Sequence, residues 1–301
     1  MGRANGILGD GAKRPLLRGR DAAERACEAP EKGRGWSGAF SAPMSRRALL
    51  ASAAALAGLA GAAVLAGCSG SGVRGSSWGD CSTRLDGSAL SFEGGRASYR
   101  PWGKVARTGL DVSEHQGIID WDAVASDGVD FAFVRLGNRG NTEGNLFLDN
   151  YVSYNLEGAR AAGLEVHAYF FSQATTADEA AEEAAFAVDT AADNGLAGCY
   201  LAYDLEPVSG RTLGMSSDAM AEAADAFCEY VESCGYRPML YGNRGDLVLF
   251  GEEACARWPV WLAQYTEGNP ESPCDFAVWQ YASDGVVAGV PAAVDLNIWV
   301  P

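Results

Sequence analysis

Short apolar runs alternate with helical patterns from Thr108 to the end of the chain. Each run has the length of a β-strand, and the segments between the runs carry apolar residues every three or four positions, as amphipathic helices do. The segment from about residue 217 to 234 is one example. It places Met220, Phe227 and Val231 on a single helical face. The pattern therefore predicts repeated strand-helix units.

Eight strands and about five helices follow from this pattern. The strand runs are, in order, GLDVS, FAFVRLG, EVHAYFF, CYLAYDLE, RPMLYGN, PVWLAQY, FAVWQYA and VDLNIWV. Strand-helix units favour a parallel sheet, and eight strands suit a closed barrel whose last part has no room for helices. We predict an α/β fold, a TIM-like (β/α)5(β)3 barrel over residues 108–301. An open doubly wound sheet is the alternative, but no GxGxxG motif follows the first strand.

The chain before the barrel divides into three parts. Residues 1–43 are rich in Arg and Gly and lack apolar periodicity, so we expect them to be disordered or untranslated. Residues 44–67 combine a positively charged start, an apolar stretch of small residues and a small-residue cleavage context, which is typical of an export signal. Residues 68–107 are rich in Ser and Gly and predict a tether, in which SALSFEGGRASY reads as two short strands about a Gly-Gly turn.

Two details indicate the kind of export signal. SRRALL resembles a twin-arginine signal, and LAGC at 65–68 resembles a lipobox, the motif at which bacterial lipoproteins are cut and lipidated. We therefore predict lipidation of Cys68 and a location outside the cytoplasm, either membrane-anchored or secreted. An ordinary signal peptide with a chance cysteine is the alternative.

Acidic residues dominate the part that follows the signal. Residues 68–301 hold 13 Lys and Arg against 34 Asp and Glu, a formal net charge of −21. Such a surface repels nucleic acid and anionic membranes. We therefore expect no nucleic acid partner and no membrane contact beyond a lipid anchor. We also expect a monomer.

Six cysteines follow Cys68. They are Cys81, Cys199, Cys228, Cys234, Cys255 and Cys274. An even number in an exported chain predicts disulfides, and the lack of CxxC spacing does not favour a structural zinc site. Cys228 and Cys234 share one predicted helix on different faces and cannot bridge each other. The helix directions bring Cys234 and Cys199 to one end of the barrel and Cys255 near Cys274, so we expect these two pairs.

Polar and aromatic residues collect at one predicted rim of the barrel, where the strands end and where active sites of such barrels lie. The polar residues are Asp111, Ser113, Asp204, Glu206, Asn243, Gln264, Gln280 and, from the last strand, Asp295. The aromatic residues are Tyr169, Phe171, Tyr203, Tyr241, Tyr265, Trp279 and Tyr281. This set predicts a cleft that is both acidic and aromatic.

Asp204 and Glu206 are two residues apart on a strand, so their side chains point to the same side. Paired carboxyl groups roughly 5 to 9 Å apart cleave glycosidic bonds, one as a protonated acid and the other as an ionised partner. Crowding of carboxylates keeps one of them protonated. A DxE pair alone is also typical of ion pairing or helix capping, but Asp111 and Asp295 at other strand ends favour catalysis.

The aromatic and amide side chains fit the same chemistry. Sugar rings stack on Trp and Tyr, and their hydroxyls bind Asn, Gln and Asp. The residues that we expect to contact a glycan are Tyr169, Tyr241, Gln264, Tyr265, Trp279 and Gln280. No serine-nucleophile elbow and no P-loop is present, and His115 and His167 are too few for a His-rich metal site. We predict no cofactor, while oxygen-only binding of a divalent ion by the four acids stays open.

Seven motifs in order resemble those of the family 25 glycoside hydrolases, the lysozyme-type muramidases. They are GLDVSEHQGIIDWDAV, FAFVRLG, YLAYDLEP, YGN, VWLAQY, VWQYAS and VDLNIWV, and they span residues 108–301. The resemblance implies cleavage of the β-1,4 bond between N-acetylmuramic acid and N-acetylglucosamine in peptidoglycan. It implies that Glu206 is the general acid and that Asp204 steers the acetamido group or the developing cation. Asp111 and Asp295 match further acids of the cleft.

One departure concerns the third strand. The family often reads Gly-x-Tyr-His-Phe there, whereas this chain keeps Tyr169 and lacks the following His. We expect the change to remove a polar contact with the substrate. It also motivates an alternative function, a non-catalytic lipoprotein that binds cell-wall glycan on the same barrel. The complete set of four acids argues against that alternative.

Overall fold

The predicted strands and helices are present in the structure, together with the hairpin predicted at SALSFEGGRASY and one further short strand. A computed structural model describes residues 85–301, so the predicted disordered segment, the export signal and Cys68 lie outside the described residues. The strands are β1 (Leu90–Glu93), β2 (Arg96–Tyr99), β3 (Arg107–Val112), β4 (Phe131–Arg139), β5 (Leu146–Leu148), β6 (Glu165–Ser172), β7 (Tyr200–Leu205), β8 (Arg237–Asn243), β9 (Val260–Ala263), β10 (Val278–Gly285) and β11 (Val294–Trp299). The helices are α1 (Trp121–Ser126), α2 (Val152–Ala161), α3 (Ala177–Asp193), α4 (Ser217–Ser233) and α5 (Arg244–Arg257).

Eight of these strands close into a barrel. Strands β3, β4, β6, β7, β8, β9 and β10 are parallel neighbours in that order. Strand β11 is antiparallel and lies between β10 and β3, which closes the sheet. Helices connect the first strands, and none lies between β9 and β11. The predicted (β/α)5(β)3 barrel is therefore confirmed.

Alternating side chains separate the interior of the barrel from its helical layer. Phe131, Phe133 and Trp261 point inward, and the rings of Phe133 and Trp261 stack with centroids 4.2 Å apart. The residues between them point outward against the helices. Because successive strand residues face opposite sides, every second residue near a strand end faces the mouth of the barrel.

Helix α4 shows how the sequence sets the outer layer. Its N-cap Ser216 accepts a hydrogen bond from the Ala219 backbone N–H at 3.2 Å. Met220, Phe227 and Val231 are fully buried on its inner face, as the apolar spacing predicts.

The hairpin of β1 and β2 replaces the missing helical cover of the closing strands. Its turn is Gly94 and Gly95, both with positive φ. Phe92 packs edge-on against Trp279 and Tyr281 of β10, with ring centroids 6.3 Å and 6.0 Å apart. The barrel core thus includes residues from the segment that the sequence assigns to a tether.

Strand β5 extends the rim beyond the predicted elements. It pairs antiparallel with Gly137 to Arg139 at the end of β4. Helix α2 follows β5 and begins at Val152. Within residues 85–301 no helix has the length and hydropathy needed to cross a bilayer.

The cysteine expectations are met only in part. Cys234 is disulfide-bonded and Cys199 is a buried free thiol, so the expected pairing of these two is wrong. The helix directions define which end of the barrel a cysteine reaches but do not define its partner. Cys255 and Cys274 do meet, since their side chains are in hydrogen-bonding contact.

We expect Cys255 and Cys274 to form a disulfide under oxidising conditions, such as those outside the cytoplasm, because their thiols already touch. Peptide mapping by mass spectrometry without reduction should recover the two linked. The buried Cys228 serves as the internal control and should be recovered as a thiol. A linked peptide that joins Cys255 to any other cysteine would contradict this expectation.

Candidate active site

Asp111 lies at the centre of a hydrogen-bonded network at the end of β3. Gln280 Nε2 on β10 and Asn297 Nδ2 on β11 each donate a hydrogen bond of 2.8 Å to Asp111 Oδ2. Burial raises the pKa of Asp111 to about 6, and the two amide donors limit that rise because they stabilise the charged carboxylate. Asp111 is therefore ionised at neutral pH.

The two amides are held in the orientation that serves Asp111. Trp261 Nε1 donates to Asn297 Oδ1 at 2.8 Å. Because an indole can only donate, the Asn297 oxygen must face Trp261 and its nitrogen must face Asp111. The Tyr241 hydroxyl donates to Gln280 Oε1 at 2.9 Å and orients that amide in the same way.

Asp295 faces Asp111 across two antiparallel strands. The two residues are direct partners in the register of β11 and β3. Like charges in such a position disfavour ionisation of both. Burial and the charge of Asp111 raise the pKa of Asp295 to about 9. At neutral pH Asp111 is charged and Asp295 carries a proton.

Asp204 and Glu206 form a second carboxyl pair, from the end of β7. Their carboxyl groups lie within hydrogen-bonding range of each other. Burial raises the pKa of Glu206 to about 7, with a further contribution from the charge of Asp246. Burial also raises the pKa of Asp204 well above its usual range, with contributions from Glu206 and Asp111. The pair therefore holds a proton near neutral pH.

Asp246 is an acid of this cluster that the sequence reasoning missed. It lies in the first turn of α5, where its Oδ2 accepts the Asn243 backbone N–H at 3.1 Å and its own N–H donates to Asn243 Oδ1 at 3.2 Å. Burial raises the pKa of Asp246 to about 6. The signal that was available is the capping box formed by Asn243 and Asp246 directly after a strand.

Arg135 is a cation at the same rim that was also missed. It is buried on β4, where Nε donates to Asp149 Oδ2 at 2.8 Å and Nη2 donates to Glu114 Oε1 at 3.0 Å. Its charge opposes the rise in the pKa of Asp204. The available signal was its position in FAFVRLG, two residues after the inward-facing Phe133.

Three predicted aromatic residues lie beside the acids. Tyr169 is half-buried near three of the cleft carboxyls, and burial raises the pKa of its phenol, which stays neutral. Tyr265 is 56% exposed, and its hydroxyl donates to Gln280 Oε1 at 3.1 Å. Tyr241 is buried and lies deeper in the cleft than Tyr265. The cleft thus offers ring faces next to carboxyl groups.

Two other predicted contact residues turn away from the acids. Trp279 follows Val278 and precedes Gln280 on β10, so it points to the outer face, where it is fully buried. Its Nε1 donates to the backbone oxygen of Gln264 at 2.8 Å. The side chain of Gln264 accepts the Glu271 backbone N–H at 2.6 Å. Both residues therefore hold the connection between β9 and β10.

The departure from the family motif on the third barrel strand also lies outside the cleft. Phe170, at the position of the motif's His, packs against Phe186 of α3 with ring centroids 5.8 Å apart. His167 is buried inside the barrel against Phe133, and burial lowers its pKa to about 3, so it stays neutral. His115 is exposed on the loop after β3.

Proton transfer is the chemistry that this rim provides. It combines an ionised carboxylate, a protonated carboxyl opposite it and a carboxyl pair that holds a proton. Among residues 85–301 no three His, Cys, Asp or Glu side chains are grouped as a metal site.

Asp295→Asn is expected to stabilise the protein at pH 8. The folded pKa is about 9 and an unfolded Asp has a pKa near 4. Between these values the folded protein holds the extra proton, so its stability falls as the pH rises. The amide of an asparagine does not ionise between pH 4 and pH 9. Calorimetry should therefore give a higher Tm for the variant at pH 8, by about 2–4 °C for each kcal/mol of penalty removed.

The same comparison at pH 4 should show the two proteins nearly converging, because Asp295 is protonated there in the folded state and about half protonated in the unfolded state. Glu222→Gln on the exposed face of α4 is the matched control, and we expect no pH-dependent gap for it. A gap for Asp295→Asn that is larger at pH 4 than at pH 8 would contradict the proton assignment.

Lysozymes are among the proteins that the chain resembles. It is 26% identical to the autolytic lysozyme of Clostridium acetobutylicum over 189 residues, which cover 63% of this chain and 54% of that protein. It is 27% identical to lysozyme M1 of Streptomyces globisporus over 207 residues, which cover 63% of this chain and 66% of that protein. The chain thus spans about half of the first relative and just under two thirds of the second.

Solved structures and a family profile agree with these relatives. The bacterial lysozyme from Streptomyces coelicolor superposes with a TM-score of 0.53 at 25% identity, over 65% of this chain and 92% of that one. The spore cortex lytic enzyme SleM of Clostridium perfringens superposes with a TM-score of 0.57 at 23% identity, over 65% and 67%. Residues 110–290, more than half of the chain, match the profile of glycosyl hydrolases family 25. The chain belongs to glycosyl hydrolases family 25.

Proposed function

We propose that this protein is a peptidoglycan hydrolase of the lysozyme, or muramidase, type. It would cleave the β-1,4 bond between N-acetylmuramic acid and N-acetylglucosamine. The observation that carries the proposal is the carboxyl pair of Glu206 and Asp204, which holds a proton beside the ionised Asp111. Family membership supports it, and so do the names of the curated relatives.

Glu206 is the proposed general acid. Burial and the charge of Asp246 raise its pKa to about 7, so a large fraction of it is protonated at neutral pH. It gives this proton to the glycosidic oxygen as the bond from that oxygen to the sugar carbon breaks. The leaving sugar departs as a neutral alcohol, and positive charge develops on the ring that remains. Water then forms the new bond to that carbon, and the proton that it loses restores the acid.

Asp111 would stabilise that charge, and Asp204 is proposed to help hold the substrate. Asp111 is ionised and is fixed by two amide donors, so it need not reorient during the reaction. Oδ1 of Asp204 accepts no hydrogen bond from residues 85–301, which is rare for a buried carboxyl oxygen. The acetamido N–H of an N-acetyl sugar would satisfy it. Asp204 is therefore proposed to bind that group.

Tyr265 and Tyr169 are proposed to contact sugar rings. Tyr265 is exposed and its hydroxyl is fixed by Gln280, so one ring face is presented in a defined orientation. Polarised C–H groups of a sugar pack on such a face, while sugar hydroxyls bind the polar groups around it.

The sequence feature that favours a binding-only function does not lie in the cleft. The third barrel strand lacks the family's His, but Phe170 at that position packs on helix α3 and not in the cleft. The wall lies outside the cytoplasmic membrane, which agrees with the predicted export segment. Anchoring through Cys68 stays a prediction from the sequence.

Glu206→Gln should abolish turnover. Glutamine has nearly the same shape but no acidic proton, so we expect kcat for the release of reducing sugar from purified peptidoglycan to fall by about 10²- to 10⁴-fold. The variant should fold normally, with a Tm at pH 8 equal to or above that of the wild type, because a buried acid with a raised pKa has been removed.

Glu157→Gln on the exposed face of α2 is the control for the same chemical change and should keep full activity. A folded Glu206→Gln protein with the wild-type kcat would refute the role of Glu206. A folded wild type that releases no reducing sugar from any wall tested between pH 4 and pH 8 would refute the proposed function.

A further inference from the structure

Glu206 lies one residue beyond the end of β7, so its backbone is outside the hydrogen-bonded ladder of the barrel. Something other than the sheet must hold it. We propose that Arg211 and Thr212, in the connection between β7 and α4, are positioning residues for Glu206. The inference rests on the proposed function, in which Glu206 is the general acid.

Thr212 contacts the backbone of Glu206 directly. Its side chain is fully buried, and Oγ1 donates to the Glu206 backbone oxygen at 3.0 Å, with the Ser209 oxygen 3.1 Å away. A buried hydroxyl that bonds a carbonyl six residues earlier closes the connection into a tight loop. This bond sets the direction in which the Glu206 side chain leaves the backbone.

Arg211 fastens that loop to the end of β6 and to α3. Its backbone N–H donates to Gln173 Oε1 at 3.1 Å, and its Nη1 donates to the Gln173 backbone oxygen at 3.0 Å. Nη2 forms an ion pair with Glu179 in the first turn of α3. Glu179 is fixed in turn by the Thr175 backbone N–H at 2.8 Å. Against the opposing effect of burial, Arg211 and Thr175 lower the pKa of Glu179 to about 2, so the ion pair persists from mildly acidic to neutral pH.

Two glycines show that the loop between β7 and α4 is tightly packed against its neighbours. A Cβ atom on Gly210 would lie 2.6 Å from Gln173 Oε1, and one on Gly144 would lie 2.8 Å from the Arg211 guanidinium carbon. Both glycines have positive φ. The Gly144 oxygen accepts from Arg139 Nη1 at 2.7 Å, so the loop after β4 is fixed as well. The loop that carries Glu206 is thus packed between Gln173 and the loop after β4.

The side chain of Glu206 depends on this support. Among residues 85–301 its carboxyl contact is with Asp204, another acid, and no ion pair joins it to a cation that could hold it in place. A small displacement of its backbone would therefore move the proton away from the glycosidic oxygen. Misplacement of a reacting group by about 1 Å can lower the rate by roughly 100-fold.

The first test removes the Thr212 bond without changing its volume. Thr212→Val keeps the shape and loses the hydroxyl, whereas Thr212→Ser keeps the hydroxyl. On soluble glycan strands we expect kcat of Thr212→Val to fall by about 10- to 100-fold with KM unchanged. The pH at which kcat declines should shift, because Glu206 moves relative to Asp204 and Asp246. Thr212→Ser should restore both the rate and the pH profile.

The second test removes the anchor of the loop. Arg211→Gln should lower kcat and not KM, and Arg211→Lys should restore little, because an ammonium cannot reproduce the fork of a guanidinium. Arg257→Gln is the matched control. Arg257 also forms ion pairs with helical acids, Asp225 and Glu229, and we expect wild-type kinetics for its variant.

Hydrogen exchange separates this inference from the proposed function. Amides of residues 206–212 should exchange faster in Arg211→Gln than in wild type and unchanged in Arg257→Gln, whether or not the wild type is active. If the wild type is inactive the proposed function fails, and the exchange data alone decide the role of the loop. Wild-type kcat and pH profile in Thr212→Val, an equal loss in Thr212→Ser, or unchanged exchange in Arg211→Gln would overturn the inference.

Discussion

The carboxylate of Asp111 joins the first strand of the barrel to the last two, and the chemistry of the mouth depends on it. It accepts one hydrogen bond from Gln280 on β10 and one from Asn297 on β11. Those amides are themselves oriented by Tyr241 and Trp261. The network stabilises a buried negative charge, which an isolated carboxylate in such a place would not keep. Barrel closure and the electrostatics of the cleft are therefore set by the same bonds.

That fixed charge distributes the protons of the other acids. It adds to the rise that burial produces in the pKa of Asp295 opposite and in the pKa of Asp204. When several buried carboxyls lie together, the stability of the folded protein falls as the pH rises, because the folded state holds protons that the unfolded state releases. The same crowding keeps an acid protonated near neutral pH, which glycosidic bond cleavage requires. Stability and the proposed function thus oppose each other at this rim, as they often do at active sites.

The sequence predicts the barrel well because each strand is an apolar run bounded by turns, and the strand ends bring distant acids together. Single side chains are harder to place. Trp279 and Gln280 are consecutive, so the pleat lets only one of them face the cleft, and it is Gln280. Phe170 is excluded from the cleft by the same alternation. Arg211 could not be foreseen, because its partners Gln173 and Glu179 come from other elements and pair with it only in three dimensions.

The central claim is that this acidic cleft cleaves the bond on the muramic acid side of the glycan. The most direct measurement is to digest purified peptidoglycan, reduce the new ends with borohydride and identify the reduced sugar by mass spectrometry. The account predicts that the reduced sugar is muramitol, because cleavage by a muramidase leaves N-acetylmuramic acid at the reducing end. Glucosaminitol in place of muramitol would contradict it.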